Sequence, residues 1–189
     1  MLVSRGNRKL GKDTLIFNMT SATDCPSKAL GLCKICNICY AMKAERMYPP
    51  SLPYRRRQAE YWAGNSADKI AKDFREEINR KTQISIKYIR ISEAGDFRNQ
   101  EDVDKLFKIA ELLADTGVKM YVYTARKDLD FSKAPQSLTI QGSGFMVHNS
   151  FTATHKEDIK PTDIVCPGDC RICNMCKARN NLDIKVIKH

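Results

Sequence analysis

A cysteine pattern written twice constrains this chain more than any other feature of its sequence. Each copy is a Cys-Pro pair followed, after a few residues, by C-x-x-C-x-x-C. The two copies lie near opposite ends of the 189-residue chain and use every cysteine that it has: Cys25, Cys33, Cys36 and Cys39 in the first, and Cys166, Cys170, Cys173 and Cys176 in the second.

The spacing within each copy predicts that the thiols bind an inorganic group. Three thiols at intervals of three residues are poorly placed to pair with each other as disulfides, but they can wrap one loop around a cluster, as in bacterial ferredoxins. Structural zinc sites usually combine two well-separated C-x-x-C pairs instead. We therefore expect two 4Fe–4S clusters, with zinc as the alternative and a disulfide framework as a third interpretation. The sequence leaves open whether Cys25 and Cys166 each bind the cluster of their own copy or that of the other copy.

The second copy also contains a motif from a different class of iron–sulfur protein. Cys166, Cys170 and Cys173 spell the C-x3-C-x2-C of radical S-adenosylmethionine enzymes, in which one iron stays free for the cofactor. Here Cys176 follows three residues later and can occupy that fourth position. The motif also lies near the end of the chain, whereas in those enzymes it follows the first strand. We therefore favour a cluster held by four thiolates.

Length and charge bound the remaining expectations. We expect a single domain over residues 1–189, with a basic, loosely ordered tail at 1–12. No signal peptide or bilayer-spanning apolar run is evident, which predicts no membrane association and a reducing cytoplasm, where clustered thiols indicate a cofactor. The net charge of +10 favours acidic partners such as nucleic acid, and the one basic run is Arg55-Arg56-Arg57.

The hydrophobic pattern predicts strands that alternate with helices. Strands are expected at 14–20, 84–91, 119–124, 138–140 and 182–187, with another over 145–147 and the next few residues. Helices are expected at 40–46, from residue 54 onward with a break at Asn65-Ser66, and over 99–115, where Gly117 ends the last one. This alternation favours the α/β class: a small parallel or mixed sheet, partial barrel-like and flanked by helices. The α/β core would cover 84–150, and the two cysteine-rich cluster-binding segments would be 25–39 and 166–176.

Polar side chains follow the ends of the predicted strands and define a second candidate site. Glu93 and Asp96 follow the strand at 84–91, while Thr124 and Arg126 follow the strand at 119–124. Chemistry in α/β folds gathers at the carboxyl ends of parallel strands, so these four residues are candidate catalytic residues. Arg126 could pair with Asp96 or bind an anion in bidentate fashion. The competing interpretation is a network that caps and closes the loops.

In the order of several short motifs, the chain resembles the phage gene product eighty-eight family. These motifs are Cys25-Pro26, Cys39-Tyr40-Ala41, Gly95-Asp96 after a strand, Thr124 with Arg126, and Cys166-Pro167 with the later cysteines. In the family the threonine and arginine are adjacent, whereas Ala125 separates them here. The resemblance implies a phage origin, and therefore a host cytoplasm, but it implies little about activity.

These observations together predict a cytoplasmic iron–sulfur protein that exchanges electrons with a redox partner protein. Two alternatives from other classes stay open. One is a nucleic-acid-binding or processing protein whose clusters or zinc ions are structural, which the net charge supports. The other is a redox enzyme whose substrate binds at the strand-end residues.

Overall fold

The computed structural model describes residues 3–188, which form one mixed sheet of eight strands with five α-helices. The strands are β1 (Ser4–Arg5), β2 (Thr14–Phe17), β3 (Tyr88–Ile91), β4 (Lys119–Thr124), β5 (Leu138–Ser143), β6 (Asn149–Thr154), β7 (Ile164–Val165) and β8 (Asp183–Ile187). The helices are α1 (Pro26–Ala29), α2 (Tyr40–Met47), α3 (Ser51–Gly64), α4 (Ala67–Asn79) and α5 (Gln100–Leu112). Short 3-10 turns lie at Cys36–Ile38, Ala114–Thr116, Lys156–Asp158 and Met175–Lys177.

The strand order confirms the α/β prediction. The sheet runs β1-β2-β3-β4-β5-β6-β8-β7, and every neighbouring pair is parallel except β1 with β2. From β1 to β6 the spatial order follows the chain order, as in the wall of a barrel, and the sheet is open between its edge strands β1 and β7. The sheet is wider than expected because the two-residue strands β1 and β7 extend its edges.

The hydrophobic core lies between one face of the sheet and helices α3, α4 and α5. Alternate strand residues point to this face, among them Leu15, Ile89 and Val122, and they are fully buried against helix residues such as Phe74 and Leu106. Because the helices cover this face, they leave the opposite face of the sheet to be covered by other parts of the chain.

The opposite face is polar and aromatic, and we call it the cysteine face. It is defined by Arg90 of β3, Tyr121 and Tyr123 of β4, Gln141 of β5 and Phe151 of β6. The parallel register places Arg90 beside Tyr121 and Tyr123 beside Gln141, so these side chains share one face. The chain from Cys166 to Ala178 lies across it, as described below.

A short connection joins β5 to β6. Parallel neighbours usually need a crossover of a dozen or more residues, whereas only residues 144–148 lie between these strands. Gly142 allows the tight return, because a Cβ atom there would lie 2.0 Å from the carbonyl oxygen of Phe145. His148 Nδ1 accepts a hydrogen bond of 3.0 Å from Ile140 N and so takes the place of a strand partner. The strand predicted from Phe145 onward therefore begins four residues later, as β6 at Asn149, and residues 145–147 lie in this turn.

Capping residues confirm several predicted helix boundaries. Ser66 Oγ accepts a hydrogen bond from Lys69 N at the start of α4, as expected for the break at Asn65-Ser66. Asn99 caps α5 in the same way, and Gly117 follows it with a φ of 72°.

Two further predictions differ from the structure. The tail at 1–12 is not loose in its described part: Ser4 and Arg5 pair with β2, and Leu10 is 3% exposed. Edge pairing with β2 and burial of Leu10 order this segment; residues 1 and 2 lie outside the described residues. The strand predicted at 84–91 is confined to Tyr88–Ile91, because Ile84 lies beyond the paired region and is 43% exposed.

Candidate functional site

The first cysteine set, Cys25, Cys33, Cys36 and Cys39, is shaped by short turns after β2. Cys25 precedes α1, and its carbonyl oxygen accepts hydrogen bonds from the backbone N–H groups of residues 28 and 29. The chain then reverses, because Cys33 N donates to Ser27 O over 3.2 Å. A 3-10 turn carries Cys36 to Cys39, and α2 begins directly after Cys39. The local turns thus return the chain to Cys25.

The four thiols of the first set face one another. The thiols of Cys36 and Cys33 are hydrogen-bonded, and all four groups of the set interact electrostatically. Burial raises the pKa of Cys36 to about 12, and the neighbouring thiols Cys33, Cys25 and Cys39 add to this because they would repel a thiolate. Burial likewise raises the pKa of Cys25 to about 11. Four cysteines therefore share one partly exposed region.

Buried ion pairs hold the loop that leads into Cys25. The Glu45 carboxylate of α2 accepts hydrogen bonds of 2.8 Å from Ala22 N and Thr23 N and forms a 2.9 Å ion pair with Arg55. Burial raises the pKa of Glu45, but the hydrogen bonds from Ala22, Arg55 and Thr23 outweigh it and leave that pKa below its usual value. The carboxylate is therefore ionised at neutral pH and ties the loop to α2 and α3.

The second cysteine set, Cys166, Cys170, Cys173 and Cys176, lies against the cysteine face. Gln141 Nε2 donates to Cys176 O over 2.9 Å, and Asn149 Nδ2 donates to Ala178 O over 2.8 Å. At the other end of the segment, Cys166 N donates to Lys185 O of β8. Side chains of β5 and β6 thus fix a segment that has almost no regular secondary structure.

The thiols of the second set line a cavity closed by the sheet. The cavity is bounded by all four cysteines and by side chains that include Arg90, Tyr121, Tyr123, Phe151 and Val186. Tyr123 donates a hydrogen bond to the sulfur of Cys176. Burial raises the pKa of Cys176 to about 11, and the thiols of Cys166, Cys170 and Cys173 contribute to the rise. Protein side chains therefore enclose the second set on several sides.

Each set is built from one copy of the motif alone. Cys25 lies with Cys33, Cys36 and Cys39, and Cys166 lies with the other three thiols of its own copy. The two copies do not exchange their Cys-Pro residues, and all eight cysteines are free thiols rather than disulfides. Within residues 3–188, no group of three or more His, Cys, Asp or Glu side chains is drawn close enough to hold one metal ion.

The candidate residue Asp96 is the centre of a buried network. Its Oδ1 accepts hydrogen bonds from Thr124 Oγ1 at 2.7 Å and Phe97 N at 2.8 Å. Its Oδ2 accepts from Ser27 Oγ at 2.5 Å and Ala125 N at 2.7 Å. Burial raises the pKa of Asp96, while these four donated bonds oppose the rise. Asp96 thus ties the loop after β3 to β4 and to the residue two positions after Cys25.

The other strand-end candidates also have structural partners. Arg126 forms its ion pair with Asp128, at 2.8 Å, rather than with Asp96, and it donates to the carbonyl oxygen of Phe97. Its role as a partner of Asp96 is therefore not found. The Glu93 carboxylate accepts from Asn7 Nδ2 at 2.5 Å and lies 3.8 Å from Arg55. The structure brings Asp96 and Thr124 together but uses Arg126 and Glu93 to hold separate loops.

Arg90 is a site residue that the sequence reasoning missed. Its Nη2 donates a 3.0 Å hydrogen bond to the hydroxyl of Tyr40, the residue after Cys39, while its side chain also lines the cavity of the second set. Its Nε is buried without a hydrogen-bond partner. The available signal was a lone arginine between Ile89 and Ile91, because a charge inside an apolar strand needs a partner. Arg90 lies between the two cysteine sets.

Most of the basic run at 55–57 forms ion pairs within the protein. Arg55 is buried, pairs with Glu45 and donates to Ala41 O over 3.0 Å. Arg56 forms a 2.8 Å ion pair with Asp24, next to Cys25. Two of the three guanidinium groups therefore stabilise the region of the first set, which removes them from the charge available to an acidic partner.

None of the helices within residues 3–188 is both long and apolar enough to cross a lipid bilayer.

Comparison with known proteins identifies a family. The family model described as Gene product 88 matches residues 1–145 of the 189. This range contains the first cysteine set, Asp96 and Arg126, and it ends before the second set. No curated protein and no solved structure matches the chain. Because the match covers most of the sequence, the chain belongs to the Gene product 88 family, the phage family that these motifs resemble.

Proposed function

We propose that this chain is an iron–sulfur protein that holds one 4Fe–4S cluster on each cysteine set and transfers electrons. The observation that carries the proposal is the grouping of the thiols: eight free cysteines form two separate groups of four, each from one copy of the motif. Four thiolates are the usual protein ligands of a 4Fe–4S cluster. When bound, such clusters would supply one-electron chemistry, and the protein would supply their position and surroundings.

The arrangement of the thiols supports a cluster over zinc. A tetrahedral Zn2+ ion with Zn–S bonds of about 2.3 Å would draw its four sulfur atoms to within about 4 Å of one another. The second set instead lines a cavity together with aromatic side chains, which suits a larger inorganic group. Because the thiols of Cys25, Cys36 and Cys176 have raised pKa values, loading would release their protons. Loading at each site should therefore weaken as the pH falls.

The number of ligands supports electron transfer over catalysis at a cluster. Each set offers four thiols, so a 4Fe–4S cluster on it would have every iron ligated and no open position for a substrate. The strand-end residues agree with this assignment, since four protein groups already donate hydrogen bonds to the Asp96 carboxylate. The network supports the loops around the first set rather than a substrate.

The nucleic-acid alternative has less support. The net charge of +10 still favours an acidic partner. However, Arg55 and Arg56 form ion pairs with Glu45 and Asp24 in the region of the first set. No other contact in the described residues favours that function specifically. We therefore do not adopt it.

The test is anaerobic purification from iron-replete cells, followed by iron and acid-labile sulfide analysis and electron paramagnetic resonance. We expect about eight iron and eight sulfide per chain. Cys36→Ser in the first set and Cys173→Ser in the second should each remove one cluster and leave the other. Met146→Ser, which removes an exposed sulfur atom outside both sets, is the matched control and should retain both clusters. Zinc without sulfide in the wild-type protein would overturn the proposal, and about four iron per chain would overturn its two-cluster form.

A further inference from the structure

We infer that the two sites are electrostatically unequal, so that the second set holds its cluster at the more positive reduction potential and Arg90 is the main cause. This inference rests on the proposed function and adds a direction to it. An electron supplied by an external one-electron reductant would reside on the second site. That transfer needs no proton and no change of covalent bonds.

Arg90 supplies a positive charge to the second site. It lines the cavity, and its guanidinium carbon lies 5.0 Å from the centre of the Tyr123 ring. Within residues 3–188 no carboxylate forms an ion pair with it, and its buried Nε has no acceptor. Reducing a cluster adds negative charge, so a nearby cation stabilises the reduced form and raises the potential. The free Nε–H group could also donate a hydrogen bond to sulfur atoms in the cavity.

Lys177 and the tyrosines of β4 add to the same effect. Lys177 is 7% exposed, and its Nζ lies 4.2 Å from the centre of the Tyr88 ring and donates to Cys170 O over 2.7 Å. Tyr121 is 2% exposed, lines the cavity and leaves its hydroxyl without a partner. Hydrogen bonds to sulfur raise cluster potentials.

The first site has a buried negative neighbour instead. Asp96 is 3% exposed and is linked to Ser27, two residues after Cys25, through the hydrogen bond from Ser27 Oγ to its Oδ2. A negative charge disfavours the reduced form of a cluster and lowers its potential. The first site thus has a buried carboxylate beside it, whereas the side chains of Arg90 and Lys177 line the second.

The test is a reductive titration of the holoprotein with dithionite, followed by electron paramagnetic resonance. The wild-type protein should show two potentials, and the Cys36→Ser variant, which keeps only the second cluster, should retain the more positive one. Arg90→Gln should move the more positive potential to a more negative value and move the other potential less. Arg75→Gln is the matched control: it removes the same charge from an arginine that pairs with Asp115 on the surface, and both potentials should stay in place.

A second variant keeps the inference testable if Arg90→Gln loses the second cluster. Tyr121→Phe removes only the unpartnered hydroxyl and should give a smaller shift of the same potential in the same direction. Iron and sulfide contents of each variant must equal those of the wild type for a shift to count. The inference is overturned if the more positive potential belongs to the first set. It is equally overturned if a fully loaded Arg90→Gln leaves the second potential unchanged. A wild-type protein without iron and sulfide would instead refute the proposed function.

Discussion

Asp96→Asn should destabilise the fold strongly, because no amide can replace this carboxylate. Each carboxylate oxygen of Asp96 accepts one hydrogen bond from a hydroxyl and one from a backbone N–H group. In the asparagine variant, the side-chain NH2 group would face one such pair. The hydroxyl of Ser27 or Thr124 can rotate and become an acceptor, but the N–H of Phe97 or Ala125 cannot. One buried N–H group is therefore left unsatisfied, whichever way the amide turns.

The magnitude follows from those contacts. An unsatisfied buried N–H group costs about 1–3 kcal/mol, and hydrogen bonds to a charged group are worth about 1.5–3 kcal/mol against about 1 kcal/mol for neutral ones. Losing one bond and weakening the other three should lower the free energy of unfolding by about 3–5 kcal/mol. Domains of this size unfold at about 5–15 kcal/mol, so the variant should still fold in the cold. Ser27→Ala removes a single donor and should cost about 1.5–2 kcal/mol.

The measurement is urea unfolding of the reduced, cluster-free protein, followed by circular dichroism. Asp130→Asn is the matched control because Asp130 is exposed and accepts one backbone hydrogen bond, from Ser132 N. It should change the free energy of unfolding by less than about 0.5 kcal/mol. The reasoning is refuted if Asp96→Asn costs no more than Ser27→Ala. If Asp96→Asn is as stable as the wild type but loses a ligand or an activity, the catalytic interpretation of Asp96 would replace the structural one.

Two further predictions concern stability. Burial and the nearby Arg179 lower the pKa of His148 to about 4 from its usual 6.5, so the folded state disfavours protonation and loses stability as the pH falls from 6.5 to about 4. Urea midpoints should show that His148→Gln weakens this dependence by about 1–2 kcal/mol, whereas His155→Gln, at an exposed position, should leave it unchanged. Gly95→Ala should cost more than about 3 kcal/mol, because Gly95 has a φ of 75° and a Cβ atom there would lie 2.0 Å from Thr20 Oγ1. Gly117→Ala, at a φ of 72° with open space around it, should cost only about 1 kcal/mol, and equal thermal shifts for the two variants would contradict this argument.

Much of the fold could be predicted from the sequence because the signals are local. The strand predicted at 119–124 was correct to the residue, and the cap at Ser66 and the turn at Gly117 marked helix ends correctly. Errors arose where pairing depends on distant residues. β1 forms because the edge of β2 has backbone groups free to pair with it. The residues Ser4 and Arg5 carry no local signal that predicts this pairing.

The candidate site divides in the same way. The spacing of the cysteines by itself determined that each copy could close on itself, because turns of a few residues bring Cys25 to Cys39 and Cys166 to Cys176 into local groups. Only the tertiary structure decided what surrounds each group. Strand register places Arg90 beside Tyr121, against the second set, and loop packing places Asp96 next to Ser27, 69 positions away, beside the first. Local spacing depends on the chain's covalent geometry, whereas the charge near each set depends on long-range packing, which no short motif encodes.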